Sequence, residues 1–147
     1  MIEVGAEAVD FEAPTSSGHP VKLSDWRGNP VVLFFFPKAN TAGCRAETRG
    51  FAKIFPDLDR RGVRVLGISV DELSTQTGFA EACGAEFPVA ADPEKKIARS
   101  YGVLGLLGYS KRVTFFLGPD GKVVDRVVSA LPGAHLERAR ARYLAGP

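Results

Sequence analysis

The strongest constraint on the fold is a run of six apolar residues, residues 31–36, which reads Val-Val-Leu-Phe-Phe-Phe and is followed by Pro37. The run is rich in β-branched and aromatic residues and is far shorter than the roughly 18 residues that a membrane-spanning helix needs. Apolar runs without alternation are typical of a strand that is buried on both faces of a sheet. The sequence therefore predicts a central strand here, and a fold that covers both faces of its sheet.

Helix and strand signals alternate after this strand. Apolar residues at helical spacing predict an amphipathic helix over residues 44–61, with a kink or break at Pro56, because proline removes a backbone donor. Six further elements follow: a strand at residues 63–70, a helix at 74–84, a helix at 92–102, strands at 113–117 and 122–128, and a closing helix at 134–144. Ser74 and Asp92 are the expected N-caps of the two middle helices. This order predicts a single α/β domain over residues 1–147, with a central mixed β-sheet flanked by helices on both faces.

Composition is that of an ordinary globular protein. The 19 Lys and Arg residues against 17 Asp and Glu leave a net charge of +2, so neither nucleic acid nor a membrane surface is an expected partner. The acidic first residues lack the basic start and apolar stretch of a signal peptide, which predicts a cytoplasmic location. The two histidines, His19 and His135, lack metal-ligand spacing and are expected to be solvated on the surface, so no metal site is predicted.

The two cysteines, Cys44 and Cys83, do not form a Cys-x-x-Cys redox motif. Each thiol is open to three interpretations: a small buried hydrophobe, a reactive nucleophile, or half of a disulfide. Cys44 is expected in the first turn of the helix after the central strand, where unpaired backbone N–H groups and the helix dipole favour a thiolate. Thr41 can direct its hydroxyl at the sulfur or at an oxygen bound beside it, and Pro37 can shield the pocket. Peroxide reduction suits such a thiolate, which would attack one peroxide oxygen and become a sulfenic acid.

The spacing Pro-x-x-x-Thr-x-x-Cys, formed by Pro37, Thr41 and Cys44, resembles the active-site signature of the peroxiredoxins. Other segments extend the match: residues 34–38, Glu47, Gly-Ile-Ser-Val-Asp at 67–71, Phe-Pro at 87–88, Ala-Asp-Pro-Glu-Lys-Lys at 91–96 and Tyr-Gly-Val at 101–103. The chain is most similar to the bacterioferritin comigratory protein, or peroxiredoxin Q, subgroup, and the resemblance covers most of residues 2–146.

This resemblance implies a thioredoxin-like fold and a thiol peroxidase that needs no metal, haem or other cofactor. Cys44 would be the peroxidatic nucleophile that reduces hydrogen peroxide and alkyl hydroperoxides, with Pro37 and Thr41 beside it. The family's arginine corresponds to Arg112, which would favour the thiolate and donate to peroxide oxygens. Glu47 would orient that arginine through a charge-assisted hydrogen bond.

The subgroup often carries a resolving cysteine five residues after the peroxidatic one, but Arg49 stands at that position here. Some members place it on the helix where Cys83 is predicted. Cys83 is therefore the candidate resolving cysteine, and its disulfide with Cys44 would be reduced by a thioredoxin-like or glutaredoxin-like protein. A packed core thiol in a one-cysteine enzyme is the alternative. Disulfide formation between two helices predicts local unwinding at both cysteines.

Two other functions stay open on the sequence. A general thiol–disulfide oxidoreductase of the same fold is disfavoured by Thr41 and by the absence of Cys-x-x-Cys, whereas a peroxide sensor that passes oxidation to a partner is compatible with the chemistry of Cys44. The protein is expected to be a monomer or a weak dimer. The apolar, glycine-rich loop at residues 104–109 is predicted to border the pocket.

Overall fold

The centre of the protein is a five-stranded sheet, seen in a computed structural model that describes residues 1–145. Its strands are β3 (Val31–Phe35), β4 (Arg64–Ser69), β5 (Val89–Ala91), β6 (Val113–Leu117) and β7 (Val123–Val128). Their spatial order is β5-β4-β3-β6-β7; β3, β4 and β5 run parallel, whereas β6 is antiparallel to both of its neighbours. A small sheet of β1 (Glu12–Ala13) and β2 (Val21–Lys22), followed by a short 3-10 helix (Leu23–Trp26), precedes it.

Helices cover both faces of this sheet. They are α1 (Ala42–Arg60), α2 (Leu73–Cys83), α3 (Lys96–Tyr101) and α4 (Pro132–Tyr143). Along β3, Val32 and Phe34 belong to the apolar cluster formed with α1, α2 and α4, while Leu33 and Phe35 belong to the cluster formed with α3. All residues of β3 are buried. The predictions of a strand buried on both faces, and of a mixed sheet between helices, are therefore confirmed.

Helix α1 runs through Pro56 without a break. The proline removes one backbone donor from the helix, but Phe51, Ile54 and Leu58 on either side are buried in the core against the sheet. Packing of such an apolar face supplies most of the stability of a helix in a protein. The predicted break did not occur, because this packing outweighs the single lost hydrogen bond.

The two predicted N-caps are wrong in detail. Helix α2 begins at Leu73 with Glu72 as its N-cap, so Ser74 already lies inside the helix. Helix α3 begins only at Lys96. Asp92 nevertheless accepts hydrogen bonds from the backbone N–H groups of Ile97 and Ala98 at 3.2 and 2.8 Å, and so it satisfies the donors of the helix start from a position outside the helix. None of the helices in residues 1–145 has both the length and the apolar composition that a membrane span requires.

Candidate active site

Cys44 lies in the first turn of α1, where the sequence places it, and its side chain is fully buried. Helix α1 begins a few residues after β3 ends, so the carboxyl end of a central strand leads directly into the positive end of a helix dipole. The unpaired backbone N–H groups of this turn favour negative charge nearby. The fold thus puts a buried sulfur at the positive end of a helix dipole.

The loop between β3 and α1 is held by hydrogen bonds from two directions. The Thr41 hydroxyl donates to the carbonyl of Lys38 at 2.7 Å, so its hydrogen is not directed at the sulfur and its oxygen is left as an acceptor. The backbone N–H of Ala39 donates to the Asp71 carboxylate at 2.8 Å, and the Ser69 hydroxyl donates to the same carboxylate. Asp71 therefore anchors the loop to the end of β4. No role was predicted for Asp71, because the bond it makes joins residues 32 positions apart in the chain.

Arg112 bridges Cys44 and Glu47. Its Nη2 donates to Cys44 Sγ at 3.4 Å, and its Nη1 donates to Glu47 Oε1 at 2.8 Å. Arg112 stands just before β6, whose antiparallel pairing with β3 places Val113 opposite Phe35. The pairing therefore brings the arginine to the edge of the sheet where the Cys44 loop begins. Its guanidinium is always charged and lies beside the sulfur. The side chain of Arg112 is only 9% exposed.

Gly43 gives Arg112 the space for this contact. A Cβ atom at Gly43 would lie 2.9 Å from Arg112 Nη2, the atom that donates to the sulfur. The absence of a side chain is therefore part of the site. Sequence reasoning could not detect this, because the crowding group is almost 70 residues away in the chain.

Replacing Gly43 by alanine is expected to lower the second-order rate constant of reduced Cys44 with hydrogen peroxide by roughly tenfold, since the displaced guanidinium no longer donates to the sulfur. Stability should not fall, because alanine is the better helix former. Rapid mixing gives the rate and thermal unfolding gives the stability. Gly78 is the matched control, because a Cβ added there, also within a helix, meets open space. Equal rates for the Gly43→Ala and Gly78→Ala variants would show that the spacing is unimportant.

Behind Arg112 lies a buried polar cluster that includes a residue predicted to be exposed. His135 on α4 is fully buried, so its assignment to the solvated surface was wrong. Its Nε2 lies 2.8 Å from the carbonyl of Ser129 and its Nδ1 lies 2.8 Å from the Thr114 hydroxyl. Nδ1 is also 3.7 Å from Oε2 of Glu47, an oxygen that has no hydrogen-bond partner among the described residues.

Burial raises the pKa of Glu47 from 4.5 to about 7, although the Arg112 charge and hydrogen bond lower it. Burial also lowers the pKa of His135. The folded protein therefore retains on Glu47 a proton that the unfolded chain releases from about pH 4.5 upward. This contribution to the free energy of unfolding is present at low pH and is lost as the pH rises through about 7. His135 acts in the opposite sense, since the unfolded chain takes up a proton at acid pH that the buried ring does not.

The Glu47→Gln variant should isolate the contribution of Glu47 to the pH dependence of the free energy of unfolding. Glutamine retains an acceptor for Arg112 but does not titrate, and the effect of His135 is common to both proteins. Between about pH 4.5 and 7.5, the free energy of unfolding of the wild type, relative to the variant, is expected to fall by on the order of 2 kcal/mol. Urea titrations at a series of pH values measure this difference. A difference that stays flat or grows with pH would show that Glu47 is already ionised in the folded protein.

Cys83 is the last residue of α2, and Gly84, in the left-handed conformation, ends the helix as predicted. Both cysteines are free, both are buried, and both belong to the apolar cluster on the same face of the sheet. Burial raises the pKa of the Cys83 thiol, against opposing effects of Arg49 and Arg45. Cys83 is therefore held mainly as a neutral thiol. The cause is its burial.

An open cleft leads to Arg112 from the surface. It is lined by Pro37, Lys111, Arg112, Val128, Ser129 and Ala130. The loop at residues 104–109, which was predicted to border the pocket, does not line this cleft. Leu106 and Leu107 point into solvent, and the ring of Tyr109 lies 5.3 Å from Lys38 Nζ. The loop thus contacts the Cys44 loop through Lys38 and stands beside the cleft.

Comparison with known proteins shows the family to which the chain belongs. Residues 4–126 match the model of the AhpC/TSA family. Peroxiredoxin Bcp from Escherichia coli is 31% identical over 83% of this chain and 83% of its own. The crystal structure of peroxidoxin BcpB from Mycobacterium tuberculosis is 35% identical, covers 100% of this chain and 99% of its own, and has a TM-score of 0.90.

A structure of the bacterioferritin comigratory protein from Xanthomonas campestris is 27% identical, covers 97% of this chain and 96% of its own, and has a TM-score of 0.86. These similarities confirm the thioredoxin-like fold that the resemblance implied. The chain therefore belongs to the AhpC/TSA family and, within it, to the bacterioferritin comigratory protein or peroxiredoxin Q group of the peroxiredoxins, a family of thiol peroxidases.

Proposed function

We propose that Cys44 is the peroxidatic cysteine of this protein and reduces hydrogen peroxide and organic hydroperoxides. The observation that carries the proposal is the position of the Arg112 guanidinium, which contacts Cys44 Sγ at 3.4 Å while Glu47 holds its other nitrogen at 2.8 Å. The similar Xanthomonas campestris protein is described as having alkyl peroxide reduction activity. The cleft beside Arg112 supplies a route for peroxide to this point.

In the proposed first step, the Cys44 thiolate attacks one oxygen of the peroxide. A sulfur–oxygen bond forms, the oxygen–oxygen bond breaks, and the cysteine becomes a sulfenic acid. The departing oxygen leaves as hydroxide or alkoxide, takes up a proton and is released as water or alcohol. Arg112 stabilises the negative charge that develops on this oxygen, and the Thr41 oxygen, whose own hydrogen is donated to Lys38, accepts the hydrogen of the bound peroxide. Pro37 shields the sulfur at the edge of the cleft.

In the second step, Cys83 attacks the sulfenic sulfur, a disulfide forms and water leaves. The shared apolar cluster supports this role, because the two thiols lie on the same face of the sheet. A thioredoxin-like or glutaredoxin-like dithiol then reduces the disulfide by two thiol–disulfide exchanges. Both cysteines are buried in helices, so the first turn of α1 and the last turn of α2 unwind during this step. We further propose that the chain acts as one domain, since both apolar clusters share one central sheet.

The experiment that tests this function is the intact mass of the reduced protein after one equivalent of hydrogen peroxide, with a thiol trap under denaturing, non-reducing conditions. The wild type should lose both free thiols and two hydrogens without gaining oxygen. The Cys83→Ser variant should instead gain one oxygen on Cys44, and its steady-state turnover with a thioredoxin should fall by at least about tenfold, since the disulfide substrate of the reductant is missing.

Each of the other outcomes has a clear meaning. If the wild type gains oxygen while Cys83 is trapped as a free thiol, Cys83 is a core residue in a one-cysteine enzyme. If peroxide consumes neither thiol, the peroxidase function itself is wrong.

A further inference from the structure

The buried cluster behind Arg112 contains a histidine for which the reaction steps above have no use. His135 is fully buried on α4 and contacts three other segments of the protein. A buried imidazole is costly unless its nitrogens are satisfied, and here both nitrogens have partners. We propose that His135 is a positioning residue for the peroxide reaction, acting through Glu47 to hold the Arg112 guanidinium against Cys44.

The hydrogen bonds define the state of the ring. The carbonyl of Ser129 can only accept, so Nε2 of His135 carries the hydrogen of that 2.8 Å bond. In the neutral ring Nδ1 is then an acceptor, and the Thr114 hydroxyl donates to it at 2.8 Å. Burial, which lowers the pKa of His135, agrees with the neutral form. The ring is therefore fixed at both nitrogens, between β6 and the segment that joins β7 to α4.

The fixed ring restrains the second oxygen of Glu47. Oε1 accepts from Arg112, while Oε2 has no hydrogen-bond partner within residues 1–145 and its neighbour on α4 is His135 Nδ1 at 3.7 Å. The planar ring at this distance limits rotation of the carboxylate and so keeps Oε1 directed at Arg112. A leucine side chain would reproduce neither the planar ring nor its bonds to Ser129 and Thr114, so it would release the Glu47 carboxylate from this position and weaken its bond to Arg112.

His135 also supports Arg112 through the backbone. The carbonyl that accepts from Nε2 belongs to Ser129, whose own N–H donates to the carbonyl of Arg112 at 3.3 Å. The histidine is thus linked to both ends of the arginine: to the guanidinium through Glu47, and to the main chain through Ser129. Both links converge on the residue that contacts the sulfur.

The inference rests on the proposed function, and the test compares three replacements of His135. Asparagine places an amide near the position of Nδ1 and can contact Glu47 and Thr114. Glutamine places its amide near Nε2 and can bond to Ser129 while leaving Glu47 without its polar neighbour. Leucine retains neither contact. The matched control is His19→Asn, because the side chain of His19 is exposed and remote in the chain from the site.

Two reactions of reduced Cys44 are measured for each variant from pH 5 to 10: the rate constant with hydrogen peroxide, and the rate constant of alkylation by iodoacetamide. Alkylation requires the thiolate only, whereas peroxide reduction also requires donors placed for the leaving oxygen. In His135→Leu the peroxide rate constant is expected to fall roughly 10- to 100-fold. At high pH, where the thiol is fully ionised, alkylation should return to the wild-type rate while the peroxide rate stays low. His135→Asn should recover most of the peroxide rate.

A peroxide rate constant for His135→Leu within twofold of the wild type, or no recovery in His135→Asn, would overturn the inference. If His135→Leu does not fold, as judged by thermal unfolding and by rapid alkylation of Cys83, the comparison is made between asparagine and glutamine. Asparagine is then expected to be at least several-fold faster, and equal rates would overturn the inference. A wild type that does not react with peroxide refutes the proposed function instead, so the two failures are distinguishable.

Discussion

Replacement of Cys44 by serine is expected to abolish peroxide reduction, with kcat/KM falling by at least about 10⁴-fold. A serine hydroxyl stays protonated at the helix N-terminus, and its oxygen has neither the nucleophilicity of a thiolate nor a stable oxidised state equivalent to sulfenic acid. The site around it should stay intact, because the fully buried sulfur is replaced by a smaller atom of similar position. Peroxide consumption in the presence of a thioredoxin and its reductase measures the loss.

The control for this prediction is the other cysteine. Cys83→Ser should still consume one equivalent of peroxide at close to the wild-type rate in a single turnover, because Cys83 acts only after the sulfenic acid forms. Thermal unfolding of both variants shows whether the core has been preserved. If Cys44→Ser retained more than about a hundredth of the wild-type rate while Cys83→Ser lost it, the two cysteines would have exchanged the roles proposed above.

The second large effect is expected at Arg112. Replacement by methionine should lower the peroxide rate constant by about 10²- to 10³-fold, since it removes the donor to the sulfur and to the departing oxygen. The rate constant of Arg112→Lys should lie between those of the wild type and Arg112→Met. Lysine retains the charge but lacks the planar guanidinium that contacts Cys44 and Glu47 at once. Rapid mixing of each reduced protein with hydrogen peroxide gives the rate constants.

Loss of Arg112 also removes the charge and the hydrogen bond that lower the pKa of the fully buried Glu47, so the cost of burying this carboxyl group at neutral pH increases. The variant should therefore be less stable at neutral pH, and a rate loss alone does not separate catalysis from structure. The double variant Arg112→Met, Glu47→Gln also removes this titratable carboxyl group. It is expected to recover stability but not the peroxide rate. Recovery of both would show that Arg112 has only a structural role.

Local sequence patterns were sufficient to predict most elements of the fold. The apolar run at residues 31–36 predicted the central strand, because strand burial is expressed in consecutive side chains. The two strands predicted at residues 113–117 and 122–128 are present as β6 and β7, and the Gly-Pro-Asp-Gly segment between them forms a turn in which the Gly121 N–H donates to the carbonyl of Gly118 at 2.9 Å. Helix boundaries were less certain, since a cap such as Asp92 can act from outside the helix that it satisfies.

Part of the candidate site could be predicted in the same way. Pro37, Thr41 and Cys44 lie within one loop and one helical turn, so their spacing alone places them together. Arg112 and Glu47 were assigned through the resemblance to the peroxiredoxins, and the structure places Arg112 3.4 Å from Cys44 Sγ and 2.8 Å from Glu47 Oε1. Their proximity is a consequence of β6 pairing with β3, which no local pattern specifies.

By itself the sequence determined the type and order of the main elements and the reactive segment around Cys44. Only the tertiary structure decided that Gly43 makes room for a guanidinium, that Asp71 anchors the loop, and that His135 is buried behind Glu47. The physical reason is the distance along the chain over which each interaction acts. Propensities, caps and dipoles act over a few neighbouring residues, whereas burial and polar contacts depend on which distant segments the sheet brings together. The local sequence around His135 is compatible with a solvent-exposed or a buried side chain, because the segments that bury it are distant in the chain.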